Sequence, residues 1–139
     1  MNFNFSNGLI WISIGIEYEG EDINIDNCIL DTGSATTAID IDLVEFNYKK
    51  PSVVKRLVGI GGGTQEVINQ EVNKITIDQI SLENVEIEFG DIQADLGING
   101  FIGTDVLRHF DINIKFSTKE LSFKFILKLV PMARFFIHN

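Results

Sequence analysis

The residues best placed to do chemistry lie together in Cys28-Ile29-Leu30-Asp31-Thr32-Gly33-Ser34. Three apolar residues lead straight into a carboxylic acid, a hydroxyl, a glycine and a second hydroxyl. An apolar run of this kind is the pattern of a buried strand, and a carboxylate at its end is costly unless donors surround it. Thr32 and Ser34 offer hydroxyl donors, and Gly33 allows a turn tight enough to aim amide groups at the acid. The stretch reads as a carboxylate held on a hydrogen-bonded loop by a rigid scaffold, where an acid can serve in proton transfer. Taken alone, Asp31-Thr32-Gly33 fits an ordinary turn after a strand equally well, because Asp, Gly and Ser favour turns for local reasons.

A second feature is the glycine run in Val58-Gly59-Ile60-Gly61-Gly62-Gly63-Thr64. A phosphate cradle needs a following Gly-Lys-Ser/Thr, or a last glycine where Thr64 stands, and then a helix. The residues that follow alternate instead, through Val72, Ile75, Ile77 and on to Phe89. The run therefore reads as the tip of a mobile hairpin, with a plain loop as the alternative. Asp22, Asn24 and Asp26 are spaced like the start of a calcium loop, but Asn27 and Gly33 stand where that loop needs its glycine and its bidentate Glu. Alternating acids on a solvated strand face explain them better.

The elements that must position the acid are short strands. Leu9 to Glu17 and Ile23 to Leu30 read as a pair joined by the turn Glu19-Gly20-Glu21-Asp22, the second delivering Asp31. Alternation resumes over Ala38 to Val44. Lys74 to Phe89 reads as a meander with turns at Asp78-Gln79 and Glu83-Asn84, and Leu96 to Gly103 as a further strand. Thr104 to Phe110 reads as a short helix, with Thr104 as its cap and Asp105 at its positive end. Ile112, Ile114 and Phe116, then Leu121, Phe123 and Phe125, form a closing hairpin. Many short strands with one helix imply an all-β barrel or sandwich.

Composition narrows the function. The 139 residues suggest one domain, and the formal charge of −9 argues against a nucleic-acid partner or an anionic membrane surface. Cys28 is the only cysteine and sits in an apolar run, where it reads as a small core residue. The absence of an intramolecular disulfide and of a basic stretch before the first apolar segment lead us to expect a cytoplasmic protein with no membrane span. His109 and His138 receive no role.

Three signals stand in order: Ile29-Leu30-Asp31-Thr32-Gly33-Ser34, the glycine-rich tip Gly59 to Thr64, and Phe101-Ile102-Gly103 followed by Asp105-Val106-Leu107. In this order and spacing the chain resembles the retropepsin-like (retroviral-type) aspartic proteases in their single-domain cellular or bacterial form, over about Leu9 to Phe125. The resemblance implies a closed all-β barrel with one short helix near its end, a domain spanning 1–126, and a tail at 127–139 of no assigned role. It makes Asp31 the catalytic acid, with Thr32 buttressing the loop across a dimer and Gly33 permitting the turn. Ser34, Ala35 and the flap residues Gly59, Ile60, Gly61, Gly62 and Gly63 would line the substrate cleft. The viral members pair an acid with an arginine where this chain has Ala35 and Thr104, so both ends of that ion pair are missing and neither charge is stranded.

The implied activity is hydrolysis of peptide bonds with no metal and no cofactor. One carboxylate takes a proton from water while a second, protonated, donates to the scissile carbonyl. Two carboxyls about 3 Å apart cannot both ionise and share a proton, as aspartic proteases as a class illustrate. The motif occurs once here and the chain has no internal repeat, so the partner expected is a second copy, with a two-fold axis between two Asp31 side chains. Ser34 is expected to donate its hydroxyl to the Asp31 carboxylate and favour its charged form. Two other readings remain: a catalytically inactive dimerisation or peptide-binding module on the same fold, and a nucleotide-binding protein using the glycine run.

Overall fold

The computed structural model describes residues 1–58, 64–92 and 97–126. Its first units are β-hairpins closed by two-residue turns. Strand β1 (Asn4–Ser6) meets β2 (Leu9–Tyr18) through Asn7-Gly8, and β2 meets β3 (Glu21–Leu30) through Glu19-Gly20. All four turn residues have positive φ, between 52° and 79°. That is the mirror-image turn whose twist matches the flanking strands, and asparagine and glycine enter it most easily. β1 was not anticipated from the alternation pattern, although Asn7-Gly8 is its signal.

Along β2, Ile12, Ile14, Ile16 and Tyr18 are buried in alternation. In β3 the register against β2 slips by one residue between Ile12 and Ile14, where Asn27 takes a left-handed φ of 56°. Beyond this bulge the alternation stops, and Cys28, Ile29 and Leu30 are all buried. They are covered because β8 (Gly100–Ile102) runs parallel to them, pairing Cys28 with Gly100 and Leu30 with Ile102. A strand with neighbours on both sides and cover on both faces takes an unbroken apolar run. Burial pushes the Cys28 thiol up to about 12, consistent with a core residue rather than a reactive one.

Three further strands complete the sheet. β4 (Ala38–Asp40) lies antiparallel to β8 and parallel to β7 (Ile80–Gly90). β6 (Thr64–Ile77) pairs with β7 on one side and returns to β2 on the other, through Gly15 to Thr76, Ile16 to Ile75 and Glu17 to Lys74. The pairings β2–β3–β8–β4–β7–β6 thus run round a ring, with β1 and β5 (Val53–Val58) attached outside it. The one α-helix among the described residues, α1 (Thr104–Leu107), leads into a separate hairpin of β9 (Phe110–Lys115) and β10 (Glu120–Phe125). The chain start docks there: Leu121 N donates to Met1 O at 2.8 Å and Phe3 N to Lys119 O at 2.9 Å. Ile14, Tyr18, Ile39, Ile75, Phe89, Ile102, Val106 and Leu121 fill a common core.

Several local expectations change. The alternation from Ala38 to Val44 is not one strand: β4 ends at Asp40, and Ile41–Leu43 forms a single 3-10 turn. Asp40 causes this by accepting the Asp42 amide at 2.9 Å. No turn forms at Glu83-Asn84; β7 runs through, with Asn84 left-handed at φ 54°. Of the strand expected over Leu96 to Gly103, Leu96 lies outside the described residues and the rest is strand only at Gly100–Ile102, while the helix spans Thr104–Leu107. Among the described residues no helix is long and apolar enough to cross a membrane.

Candidate active site

The segment leaving β3 is held by its own backbone and by the segment leaving β8. Asp31 N donates to Ile102 O at 2.9 Å, which continues the parallel ladder by one rung and fixes the root of the acid. Ser34 N donates to Asp31 O at 3.2 Å and closes a turn. Inside that turn Gly33 N donates to Asp31 Oδ1 at 3.0 Å. The carboxylate is therefore oriented by a backbone amide, while Asp31 Oδ2 has no protein partner among the described residues. Asp31 is half-buried, and Thr32, Gly33 and Ala35 are exposed. The loop turns its acid outward, away from the core.

Gly33 contributes room rather than an unusual backbone. Its φ is not in the left-handed region; a β-carbon there would stand 3.2 Å from Asp31 Oδ1. The Ser34 hydroxyl differs from expectation. It donates to Thr36 O at 2.7 Å and accepts from Thr36 N at 3.4 Å, so it stiffens the loop and is not directed at Asp31. Removing a donor from a carboxylate would disfavour the charged form and move the acidic limb of activity upward. Because this hydroxyl serves Thr36, Ser34→Ala is expected to leave that limb in place and to cost about 1 kcal/mol in a urea titration.

The loop is clamped from behind by residues to which the sequence reading gave no such role. Thr37 is fully buried, at 0% exposure. Its hydroxyl donates to Asp105 Oδ1 at 2.7 Å and its amide to Asp105 Oδ2 at 3.0 Å, while Gly103 N donates to the same hydroxyl at 3.0 Å. Asp105 Oδ1 also accepts Val106 N at 2.8 Å. One carboxylate thus joins the start of α1 to the end of the loop, and both its oxygens are satisfied. Asp105 sits in the first helical turn as expected, but the Thr37 bonds, rather than the short helix, hold it there.

Thr104 is not the helix cap; Gly103 occupies that position and offers no side chain. Thr104 instead donates to Ser34 O through its amide at 2.8 Å and its hydroxyl at 3.2 Å. The two segments that lack the viral-type ion pair are therefore joined here by neutral hydrogen bonds. Gly103 makes the approach possible. A β-carbon at that position would stand 2.4 Å from Thr36 O and 2.8 Å from Ser34 O. Ile102 and Gly103 thus both lie against the acid-bearing segment.

Of the expected cleft residues, Ser34 and Ala35 lie on this loop beside Asp31. The flap positions Gly59, Ile60, Gly61, Gly62 and Gly63 lie outside the described residues, as does the tail at 127–139. The arms of the glycine-rich hairpin are described: β5 and β6 pair from Val53 with Asn69 to Val58 with Thr64.

Comparison with known proteins agrees with this geometry. Residues 15–106 match the family model for "Aspartyl protease". No curated protein sequence is significantly similar to the chain. Among solved structures, a retropepsin-like aspartic protease from Rickettsia conorii superposes with a TM-score of 0.58 at 18% identity, covering 83% of each chain. The matched segment contains the Asp31 loop, both arms of the glycine-rich hairpin and the Gly103 crossing. On that match the chain belongs to the aspartyl protease family, and its fold is similar to that of a retropepsin-like member.

Proposed function

We propose that the protein is an aspartic endopeptidase whose working unit is a homodimer. The observation that carries this reading is one oriented carboxylate per chain, Asp31, held at a strand end on an exposed loop with Oδ2 unpartnered among the described residues. Peptide hydrolysis by this route needs two carboxyls, one to deprotonate water and one to protonate the scissile carbonyl. A second copy of the chain supplies the second Asp31, and Thr32 and Gly33, exposed in the single chain, are available to the partner loop. In this reading the hairpin whose arms are β5 and β6 covers an extended peptide and excludes water. Ser34 and Ala35 form part of the floor beneath that peptide. No metal or cofactor enters the reaction.

A peptide library digested by wild type and Asp31→Asn in parallel tests the proposal. Wild type is expected to cleave, and Asp31→Asn to fall by about 10³-fold, the scale of a lost general acid–base group. Cleavage that survives in Asp31→Asn would place the chemistry elsewhere. A wild type that binds peptides without cutting them would instead fit the inactive-module reading.

A further inference from the structure

Glu88 is a buried acid that the proposed reaction does not use. On β7, Ile87 and Phe89 enter the core, so Glu88 faces the opposite side, yet it is only 2% exposed. A carboxylate in such a place requires compensation. Among the described residues its carboxylate has two partners. Thr36 donates its hydroxyl to Glu88 Oε2 at 3.1 Å, and Lys55 Nζ lies 4.0 Å from Oε1. Thr36 belongs to the segment leaving Asp31, and its carbonyl already accepts the Ser34 hydroxyl. Lys55 belongs to β5, an arm of the glycine-rich hairpin, and its side chain is 44% exposed.

The register gives Lys55 a particular place on that arm. β7 pairs with β6 as far as Asn69 with Glu88 and Ile68 with Phe89, and no further. The next residue of β6, Val67, pairs with Lys55. Lys55 therefore sits on the first rung where the hairpin has left the sheet and is held by its own two strands alone. A projecting two-stranded ribbon is weakly held unless something ties its root.

We propose that Glu88 is a positioning residue that ties the root of the hairpin to the Asp31 loop, with Lys55 as the hairpin's half of the tie and Thr36 as the loop's. One oxygen faces the Lys55 ammonium and the other accepts the Thr36 hydroxyl, so the stance of the hairpin and of the loop is set by one buried group. This assignment builds on the endopeptidase reading, in which the hairpin must close over the loop. The tie itself is a property of the fold and is testable without catalysis.

The test combines hydrogen–deuterium exchange with kinetics on the full chain. Lys55→Met and Glu88→Gln are each expected to speed amide exchange at least about 5-fold in residues 53–58 and 64–68, leaving β2 and β3 unchanged. Lys55→Arg is expected to restore protection, and the double variant to add little to either single one. Steady-state kinetics is expected to show KM raised several-fold with kcat changed less. Lys55 is far more exposed than Glu88, so Lys55→Met keeps the test open should Glu88→Gln fold poorly. Unchanged exchange in Lys55→Met, or losses that simply add in the double variant, overturns the tie. A wild type without peptidase activity would sink the endopeptidase reading and still leave the exchange result to decide on the tie.

Discussion

Mixed with a nine-fold excess of Asp31→Asn chains and allowed to exchange partners, wild-type chains are expected to lose about nine-tenths of their peptidase activity. The substitution is nearly isosteric. Asp31 gives and receives its loop-forming backbone bonds through N and O, to Ile102 and Ser34, and these survive the exchange of an oxygen for an amide. An Asp31→Asn chain therefore folds and competes for partners. With random pairing about one wild-type chain in ten meets another wild-type chain, and a mixed pair has one carboxyl where two are needed. Activity is followed against a quenched peptide while the mutant share rises. A quadratic fall with wild-type fraction supports the shared site; a linear fall means each chain works alone.

Replacing Gly103 by alanine is the second large effect, and it acts on stability. The added β-carbon would stand 2.4 Å from Thr36 O and 2.7 Å from Thr36 C, both backbone atoms in a segment tied on either side. Relief requires moving the loop away from Gly103 and Thr104, which strains the Thr37 hydroxyl that accepts from Gly103 N and the bonds from Thr104 to Ser34 O. A cost of about 3 kcal/mol is expected, at the upper end for overpacking, and is measurable as a lowered urea midpoint. Gly33→Ala provides the contrast. Its β-carbon meets a side-chain oxygen at 3.2 Å and nothing else nearby, so stability changes little while the Asp31 carboxylate is pushed aside. Equal stability losses at the two glycines would contradict this account of the loop.

What was legible in the sequence was local. The alternation of Ile12, Ile14 and Ile16 marked β2, and the unbroken Cys28-Ile29-Leu30 marked a strand covered on both faces. The glycine run between two β-prone arms marked a hairpin whose arms pair as expected. Where the reading failed, the deciding partner was distant or the local signal had two outcomes. Thr37 and Asp105 lie 68 residues apart, and nothing in either neighbourhood announces their bond. Ser34 had a carboxylate close by in sequence, but its nearer acceptor was the carbonyl two residues on. Asn84 can reverse a chain or merely kink a strand, and the continuous pairing from Val72–Val85 to Lys74–Glu83 chose the kink. Asn7-Gly8 is by itself a turn signal for β1, although the residues before it do not alternate.

These bonds bear on chemistry through the loop. The acid is oriented by Gly33 N, the turn by Ser34 and Thr36, and the whole is anchored by Asp105 through Thr37. The Asp105–Thr37 anchor is made to the start of α1, while Thr32 and Gly33 stay exposed. The front is left for whatever completes the site. A single chain, on this account, holds one carboxyl in working geometry and lacks the group with which it must share a proton.

The most direct test of that claim is specific activity followed through dilution, with mass measured by sedimentation on the same samples. The account predicts that activity per chain falls in step with the conversion of two-chain species into single chains of 15.6 kDa. Full activity per chain in a sample that sediments wholly as the single chain would contradict it.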